Sequence, residues 1–246
     1  MNHAAMHVME EYKDIVLAYG QSDEYSFVFH KTCDLYKRRS AKIMSNVNSL
    51  FSSAYCCNWS KWFPDRTLKY PPSFDARVIL YPTDDNLKDY LSWRQADVHI
   101  NNLYNTTFWN LVLKGGRTNR EAESELCGTF SADKNEILFS KFNINYNNLP
   151  AMYRKGTILL RKRIKVPTSE KPKQLIVPLC RDMIQADFWI EHKEILDKST
   201  PQLYEFSSDN KALINERVED KDVDVFPELV RKQLEKLSLK KAGYVK

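Results

Sequence analysis

Two adjacent acids, Asp23 and Glu24, lie where one short apolar segment turns back into another. Residues 15–19 and 25–30 have the composition of strands, and Gly20 with the small polar residues after it supplies turn chemistry. Carboxylates that hold two divalent cations about 4 Å apart are a common device for phosphoryl and nucleotidyl transfer. Magnesium keeps several of its waters, so one or two carboxylates for each ion suffice. The pair is therefore a candidate metal site, with two solvated turn acids as the alternative.

The two acids are expected to differ in direction. Successive residues of a strand point to opposite faces of a sheet. Asp23 and Glu24 therefore cannot both reach one ion unless the turn twists them. A second carboxylate for the metal site is expected from a neighbouring strand.

Basic residues that could bind phosphates follow the hairpin. Arg39 and Lys42 come at the start of a helical pattern and are three residues apart, so they are neighbours on one helical face. Together they could clamp a triphosphate, with a solvated helix flank as the alternative. Lys134, in the polar stretch 133–136, is a further possible phosphate contact.

The stretch 92–105 is unusually dense in large polar groups for a helix. It contains His99, Asn101, Asn102 and Asn105, and asparagine is a poor helix former. A segment that gives up helix propensity for amides and an imidazole is typical of a binding surface. A satisfied histidine without a role in binding is the alternative for His99.

A second candidate surface lies at residues 153–155, where Arg154 and Lys155 follow a tyrosine. Aromatic side chains interleaved with cations suit the binding of single-stranded RNA ends. A solvated edge strand explains the same residues equally well.

Composition limits the classes of protein to consider. The 246 residues are 43% hydrophobic and carry a net charge of +5, which allows a large core and permits nucleic-acid binding. No apolar run approaches the roughly 20 residues of a membrane-spanning helix. Five cysteines without zinc or CxxC spacing fit reduced thiols in a cytosolic protein. Phosphate-binding glycine loops, GxSxG and HExxH motifs do not occur, which removes most hydrolases and P-loop enzymes.

Hydrophobic periodicity predicts hairpins mixed with helices, without regular βαβ alternation. This mixture favours an α+β fold. The tail beyond residue 207 is polar, with one amphipathic helix predicted at 226–238. We predict helices at 1–14, 36–59, 84–113, 118–127, 131–142 and 187–196, a hairpin at 15–30, and strands at 77–81, 157–163 and 175–178.

Several strings, taken in order, resemble the tRNA-His guanylyltransferase family. The resemblance covers roughly residues 1–165, and chance agreement of so many strings in one order is negligible. The matching strings are residues 18–27, 37–39, 90–97, 99–105, 132–138 and 152–157.

The resemblance implies a fold and a reaction. The fold is an antiparallel, ferredoxin-like sheet with helices, similar to the palm of polymerases. The activity is nucleotidyl transfer that adds a guanosine to the 5′ end of tRNA-His, with ATP activating the 5′-phosphate and GTP then attacking it. The resemblance further implies two Mg²⁺ ions, a homotetramer with tRNA-His as partner, and a cytoplasmic location with possible nuclear or mitochondrial pools.

The resemblance also assigns roles to residues. Asp23 would be a catalytic metal ligand, with Glu24 beside it, and His99 would take part in the activation step. Nucleotide contacts are expected from Ser22, Arg39, Lys42 and Lys134. Contacts to tRNA are expected from Asn101, Asn102, Asn105, Arg154 and Lys155.

The resemblance divides the chain into a palm-like catalytic region at 1–82, a helical and hairpin region at 83–206 that completes the active site and tRNA surface, and a polar tail at 207–246. In the family, a first strand with an Asp-Gly-Arg-type motif precedes the N-terminal helix. This sequence begins inside that helix, so we expect the first palm strand and one metal ligand to be missing. The alternative function is a catalytically impaired short form that binds tRNA or joins tetramers.

Overall fold

In the part of the chain that the structure describes, a sheet of seven strands lies between two groups of helices. The computed structural model describes residues 1–165, 170–197, 199–206, 213–215, 218–219, 233 and 235. The strands are β1 Ile15–Gln21, β2 Glu24–Phe29, β3 Thr157–Lys165, β4 Lys173–Leu179, β5 Leu203–Phe206, β6 Leu213–Asn215 and β7 Val218–Glu219. The helices are α1 Asn2–Glu11, α2 Ser40–Trp62, α3 Asp84–Leu113, α4 Asn119–Leu126, α5 Ser131–Phe142, α6 Ala151–Lys155 and α7 Ala186–Glu191, with short 3₁₀ turns at Leu35–Arg38, Tyr146–Asn148 and Lys193–Ile195.

The sheet is mostly antiparallel and is built around β1 and β3. β1 pairs with β2 on one edge and with β3 on the other, so that Leu17 lies opposite both Val28 and Leu160. β4 pairs antiparallel to β3, and β5 pairs parallel to its C-terminal end. The outer edge of β2 has no partner strand among the described residues. The hairpin of β1 and β2 is thereby joined to the part of the chain that follows α6.

One core lies between the sheet and α3. Leu17 and Tyr19 of β1 are fully buried there against Leu91 and Val98 of α3. Since the helix positions 91, 95 and 98 share one face, α3 is fixed to the sheet along its first half. This contact places the start of the polar stretch 92–105 beside the hairpin.

The second core lies on the opposite face of the sheet, against α1 and α2. Ala18 is buried there with Met9 of α1 and Phe51 of α2, while Tyr25 and Phe27 of β2 pack against the same cluster. The aromatic rings of Tyr25, Phe27 and Phe51 lie 5.6–6.0 Å apart. The hairpin is therefore fixed from both sides by helices.

Most of the predicted elements are confirmed. The hairpin, the long helix at 84–113 and the helix at 131–142 agree with β1–β2, α3 and α5. Thr83 caps α3 by accepting a hydrogen bond from the Asn86 backbone N–H, and Thr118 with Glu121 forms a capping box on α4. The α+β class is confirmed as well.

The strand predicted at 77–81 is wrong. The segment has no regular secondary structure, and its apolar side chains at Val78, Ile79 and Leu80 are exposed. A strand needs a neighbour for its backbone hydrogen bonds, and no described strand pairs with this segment. The helix predicted at 226–238 lies outside the described residues apart from Gln233 and Glu235. Within the described part of the chain, no helix combines the length and apolarity needed to cross a membrane.

Candidate active site

The turn between β1 and β2 consists of Ser22 and Asp23. Ser22 has a positive φ of 47°, a left-handed conformation that costs free energy for a residue with a side chain. Glycine is favoured at position 20, two residues before Ser22, because a Cβ there would lie 2.2 Å from the ring of Tyr25 on the partner strand. Asp23 is exposed, and its carboxylate has no hydrogen-bond or ion-pair partner among the described residues. The turn therefore presents one carboxylate that is available to a ligand.

Glu24 is engaged differently from Asp23. Its Oε2 lies 2.5 Å from Nη1 of Arg94 on α3. The two predicted acids are thus held in different ways, as strand alternation led us to expect. Arg94 belongs to the polar stretch 92–105, but no local pattern pairs it with Glu24, which lies 70 residues earlier in the chain.

The segment before α2 forms a strained left-handed turn. Tyr36, Lys37 and Arg38 have φ values of 52°, 53° and 55°. Three successive residues with side chains in this conformation are costly, which makes the turn a candidate functional feature. Two predicted phosphate ligands, Arg39 and Lys42, come directly after it.

Tyr36 organises these two cations. Its carbonyl accepts hydrogen bonds from both the backbone N–H and the Nε–H of Arg39, the latter at 3.1 Å. Its ring lies 4.8 Å from Nζ of Lys42, within the range of a cation–π contact. Both cations are exposed at the N-terminus of a helix of 23 residues, where backbone N–H groups also favour anions. The arrangement can bind a polyanion such as a triphosphate.

His99 lies in a separate cluster on α3. Its ring is 5.3 Å from the ring of Tyr146, whose hydroxyl accepts a hydrogen bond from Asn102 Nδ2 at 3.0 Å. Burial lowers the pKa of His99, and the positive charge of Arg154 lowers it further. The structure therefore brings three predicted residues together: His99, Asn102 and Arg154. The imidazole is therefore harder to protonate than that of an ordinary histidine.

The predicted residues Asn101, Asn105 and Lys134 lie on α3 and α5. Asn101 donates to Asp97 at 2.8 Å, and Asn105 is exposed. Lys134 Nζ donates to the carbonyl and hydroxyl of Thr129 and lies 6.0 Å from the ring of Tyr104. Its contacts place Lys134 beside the second half of α3, past His99.

Sequence reasoning missed the role of Gln95. This side chain is almost completely buried, and its amide makes three hydrogen bonds to backbone groups, of Lys155, Arg181 and Met183. The signal was present, because Leu91, Gln95 and Val98 have the spacing of one buried helix face. Part of the polar density at 92–105 therefore holds the fold together and is not available for binding.

The comparisons with known proteins identify the family. The family model described as tRNAHis guanylyltransferase matches residues 1–82, and the one described as Thg1 C terminal domain matches residues 85–225. A probable tRNA(His) guanylyltransferase of Drosophila melanogaster is 61% identical over 222 residues, which cover 90% of this chain and 77% of the relative. The corresponding protein of Dictyostelium discoideum is 56% identical, over 80% of this chain and 78% of the relative.

Solved structures agree with this assignment. The crystal structure of the tRNA(His) guanylyltransferase of Saccharomyces cerevisiae is 49% identical and superimposes with a TM-score of 0.63, over 65% of this chain and 71% of that one. A bacterial Thg1-like protein solved with ATP shares only 18% identity and shows the same fold, with a TM-score of 0.58 over 80% and 77% of the two chains. The chain belongs to the tRNA(His) guanylyltransferase family. The resemblance in the sequence is thereby confirmed.

Proposed function

We propose that this protein is a tRNA(His) guanylyltransferase, which adds a guanosine to the 5′ end of tRNA-His. The observation that carries the proposal is the strained Ser22–Asp23 turn with its available carboxylate, in a chain of this family. In the proposed reaction the 5′-phosphate of the tRNA attacks the α-phosphorus of ATP, pyrophosphate leaves, and the 5′ end carries an adenylyl group. The 3′-hydroxyl of GTP then attacks the 5′-phosphorus of the tRNA, and AMP leaves.

The exposed cations before and at the start of α2 suit this chemistry. Attack on phosphorus builds negative charge on the phosphoryl oxygens, and catalysis consists mainly of positioning and charge neutralisation. Arg39 and Lys42 would bind the triphosphate, since Tyr36 and the left-handed turn hold both of them at the helix N-terminus. Ser22 would add a nucleotide contact at the hairpin turn, and Lys134 would add one beside the second half of α3.

Magnesium fits the donor chemistry of the turn. Asp23 offers an oxygen ligand, and Mg²⁺ is commonly bound through one or two carboxylates together with substrate phosphates and waters. When bound, Mg²⁺ neutralises charge on the phosphoryl oxygens. The described residues contain no group of three His, Cys, Asp or Glu side chains placed to hold a metal. Nucleotide phosphates and waters would therefore supply many of the ligands.

His99 would act in the activation step. As a neutral imidazole it can accept a proton or a hydrogen bond, and Asn102 and Arg154 lie in the same cluster. The guanidinium of Arg154 provides a positive charge for the 5′-phosphate of the tRNA. Asn101, Asn105 and Lys155 would extend the tRNA surface along α3 and α6.

We also propose that the protein works as a homotetramer. Large apolar side chains are exposed on α3, which a monomer rarely leaves open to solvent in groups. Trp93 and Ile100 are 63% and 58% exposed and are seven residues apart, so they share one face of the helix. Trp109 and Leu113, 49% and 75% exposed, form a second such pair.

The test of the proposed function is transfer of labelled GTP to 5′-phosphorylated tRNA-His in the presence of ATP and Mg²⁺. We expect labelled tRNA with the wild-type chain and a loss of at least about 100-fold with Asp23→Ala, because charge neutralisation at phosphorus is lost. Asp85→Ala, a change to an exposed acid at the start of α3, is the matched control and should keep full activity. A wild-type chain without transfer, or an Asp23→Ala variant with normal transfer, would contradict the proposal.

A further inference from the structure

Glu24 is directed toward α3, away from the cations of α2. Residues of β2 alternate between the two faces of the sheet. Ser26, two residues after Glu24, lies 3.2 Å from the hydroxyl of Tyr90 on α3. Tyr25, between them, packs on the opposite face with the α1–α2 core. Glu24 therefore belongs to the α3 side, where Arg94 meets it across 70 residues of sequence.

Among the described residues, Glu24 is the one carboxylate in an ion pair with Arg94. Only 13% of the Arg94 side chain is exposed, whereas 56% of the Glu24 side chain is exposed. The guanidinium carbon of Arg94 lies 5.9 Å from the centre of the Tyr19 ring. Two of its nitrogens, Nε and Nη2, are buried and have no hydrogen-bond partner among the described residues. A buried charge with so few partners depends strongly on the one carboxylate that neutralises it.

We propose that Glu24 is the counter-charge of Arg94 and not a metal ligand, and that this ion pair between β2 and α3 fixes the Asp23 turn for the nucleotide site. Arg94 is then a positioning residue of the active site. The part of this inference that concerns Mg²⁺ and GTP rests on the proposed function. The ion pair itself does not.

The proposal predicts that the two single changes affect the Mg²⁺ requirement differently. Neutralising Glu24 alone leaves Arg94 as an unbalanced positive charge next to the Asp23 turn, which repels a divalent cation. Neutralising Arg94 alone loosens the turn but adds no positive charge. Neutralising both removes the repulsion. A direct metal contact from Glu24 would give a different pattern, because the double variant would lack the ligand as well.

The experiment is a double-mutant cycle with Glu24→Gln, Arg94→Gln and the double variant, in the full chain. The measurement is the Mg²⁺ concentration for half-maximal GTP binding by calorimetry. We expect Glu24→Gln to raise it about tenfold, which corresponds to ~1.4 kcal/mol. Arg94→Gln should not raise it, and the double variant should return to within about threefold of wild type. Asp85→Asn with Lys88→Gln, an exposed pair on α3, is the control cycle and should change nothing.

A double variant that needs as much Mg²⁺ as Glu24→Gln would overturn the proposal in favour of a direct metal contact from Glu24. If all variants have equal Mg²⁺ requirements but lower unfolding midpoints, the ion pair is only a structural contact. That result would also overturn the proposal. Arg94→Lys should restore part of the kcat that Arg94→Gln loses, because it keeps the charge but not the planar fork.

The same variants in urea unfolding test the ion pair without any nucleotide. We expect the double variant to lose less stability than the sum of the single changes, and additive losses would contradict the pair. A wild-type chain that binds no GTP would overturn the proposed function, while the unfolding cycle would still decide whether Glu24 and Arg94 are coupled.

Discussion

Gln95 Oε1 accepts a hydrogen bond of 2.6 Å from the backbone N–H of Met183 in the interior of the protein. The Nε2 group of the same amide donates to the carbonyls of Lys155 and Arg181, both at 2.9 Å. One side chain thus ties α3 to the end of α6 and to the segment after β4. The candidate site depends on this tie, because α3 carries both Arg94 and His99.

Gln95→Leu should therefore destabilise the protein without touching the proposed ligands. The change removes three hydrogen bonds, one of them from the buried N–H of Met183, which costs about 2–4 kcal/mol in the free energy of unfolding. Asn105→Leu is the matched control, an exposed amide on the same helix, and should change stability by about 0.5 kcal/mol or less. Urea unfolding measures both. Equal effects of the two changes would show that the hydrogen bonds of Gln95 do not stabilise the packing of α3.

Lys162 predicts a dependence of stability on pH. It is almost fully buried in β3, donates to the Tyr204 hydroxyl at 2.6 Å, and faces His192, Glu191 and Glu194 from α7 and the turn after it. Burial lowers the pKa of Lys162 to about 7, with the two carboxylates and Arg181 acting as smaller influences. The unfolded chain holds this proton up to about pH 10.5.

Between about pH 7 and pH 10 the unfolded state therefore binds more protons at Lys162 than the folded state, and stability rises with pH. Lys162→Met should remove this rise of stability with pH, because the methionine side chain does not titrate. Lys165→Met, an exposed lysine of the same strand paired with Glu205, is the control and should leave the pH profile unchanged. Guanidinium unfolding at several pH values gives the comparison. A pH profile that Lys162→Met leaves intact would refute this account.

A glycine substitution in the left-handed turn at 36–38 should stabilise the protein. Lys37→Gly should raise the free energy of unfolding by about 1 kcal/mol, because glycine adopts positive φ without steric cost. Ser45→Gly, an exposed position within α2, should lower it by about 1 kcal/mol, because glycine weakens a helix interior. The opposite signs distinguish a strained turn from a general effect of glycine. If the turn presents Arg39 and Lys42 to a triphosphate, Lys37→Gly should also weaken GTP binding.

Arg154 is expected to control the proton affinity of His99. Arg154→Met should raise the pKa of His99, because one of the two causes that lower it is removed. The pKa should stay below its usual range, since burial remains. The measurement is an NMR titration of the imidazole, with Lys155→Met as the control for an adjacent cation. A His99 pKa that falls, or that responds equally to both changes, would contradict the electrostatic effect of Arg154 on His99.

Local features of the sequence predicted a large part of the fold. The starts of α3 and α4 are local features of this kind, since Thr83 caps α3, Thr118 with Glu121 forms a capping box on α4, and a cap acts on backbone groups only three residues away. The β1–β2 hairpin followed from two apolar segments around a short polar turn. The segment 77–81 has an equally strong local pattern but is not a strand, because pairing needs a neighbour that no local pattern supplies.

The sequence by itself determined the family, the hairpin and the acid at its tip, since matching strings and turn chemistry are readable along the chain. Only the tertiary structure decided which polar residues of 92–105 are buried, as Gln95 is, and which face solvent. It alone paired Glu24 with Arg94, 70 residues apart, and gathered His99, Asn102 and Arg154 from α3 and α6. The reason is physical: a cap or a turn depends on neighbours in the chain, whereas an ion pair across the sheet depends on how helices pack against it.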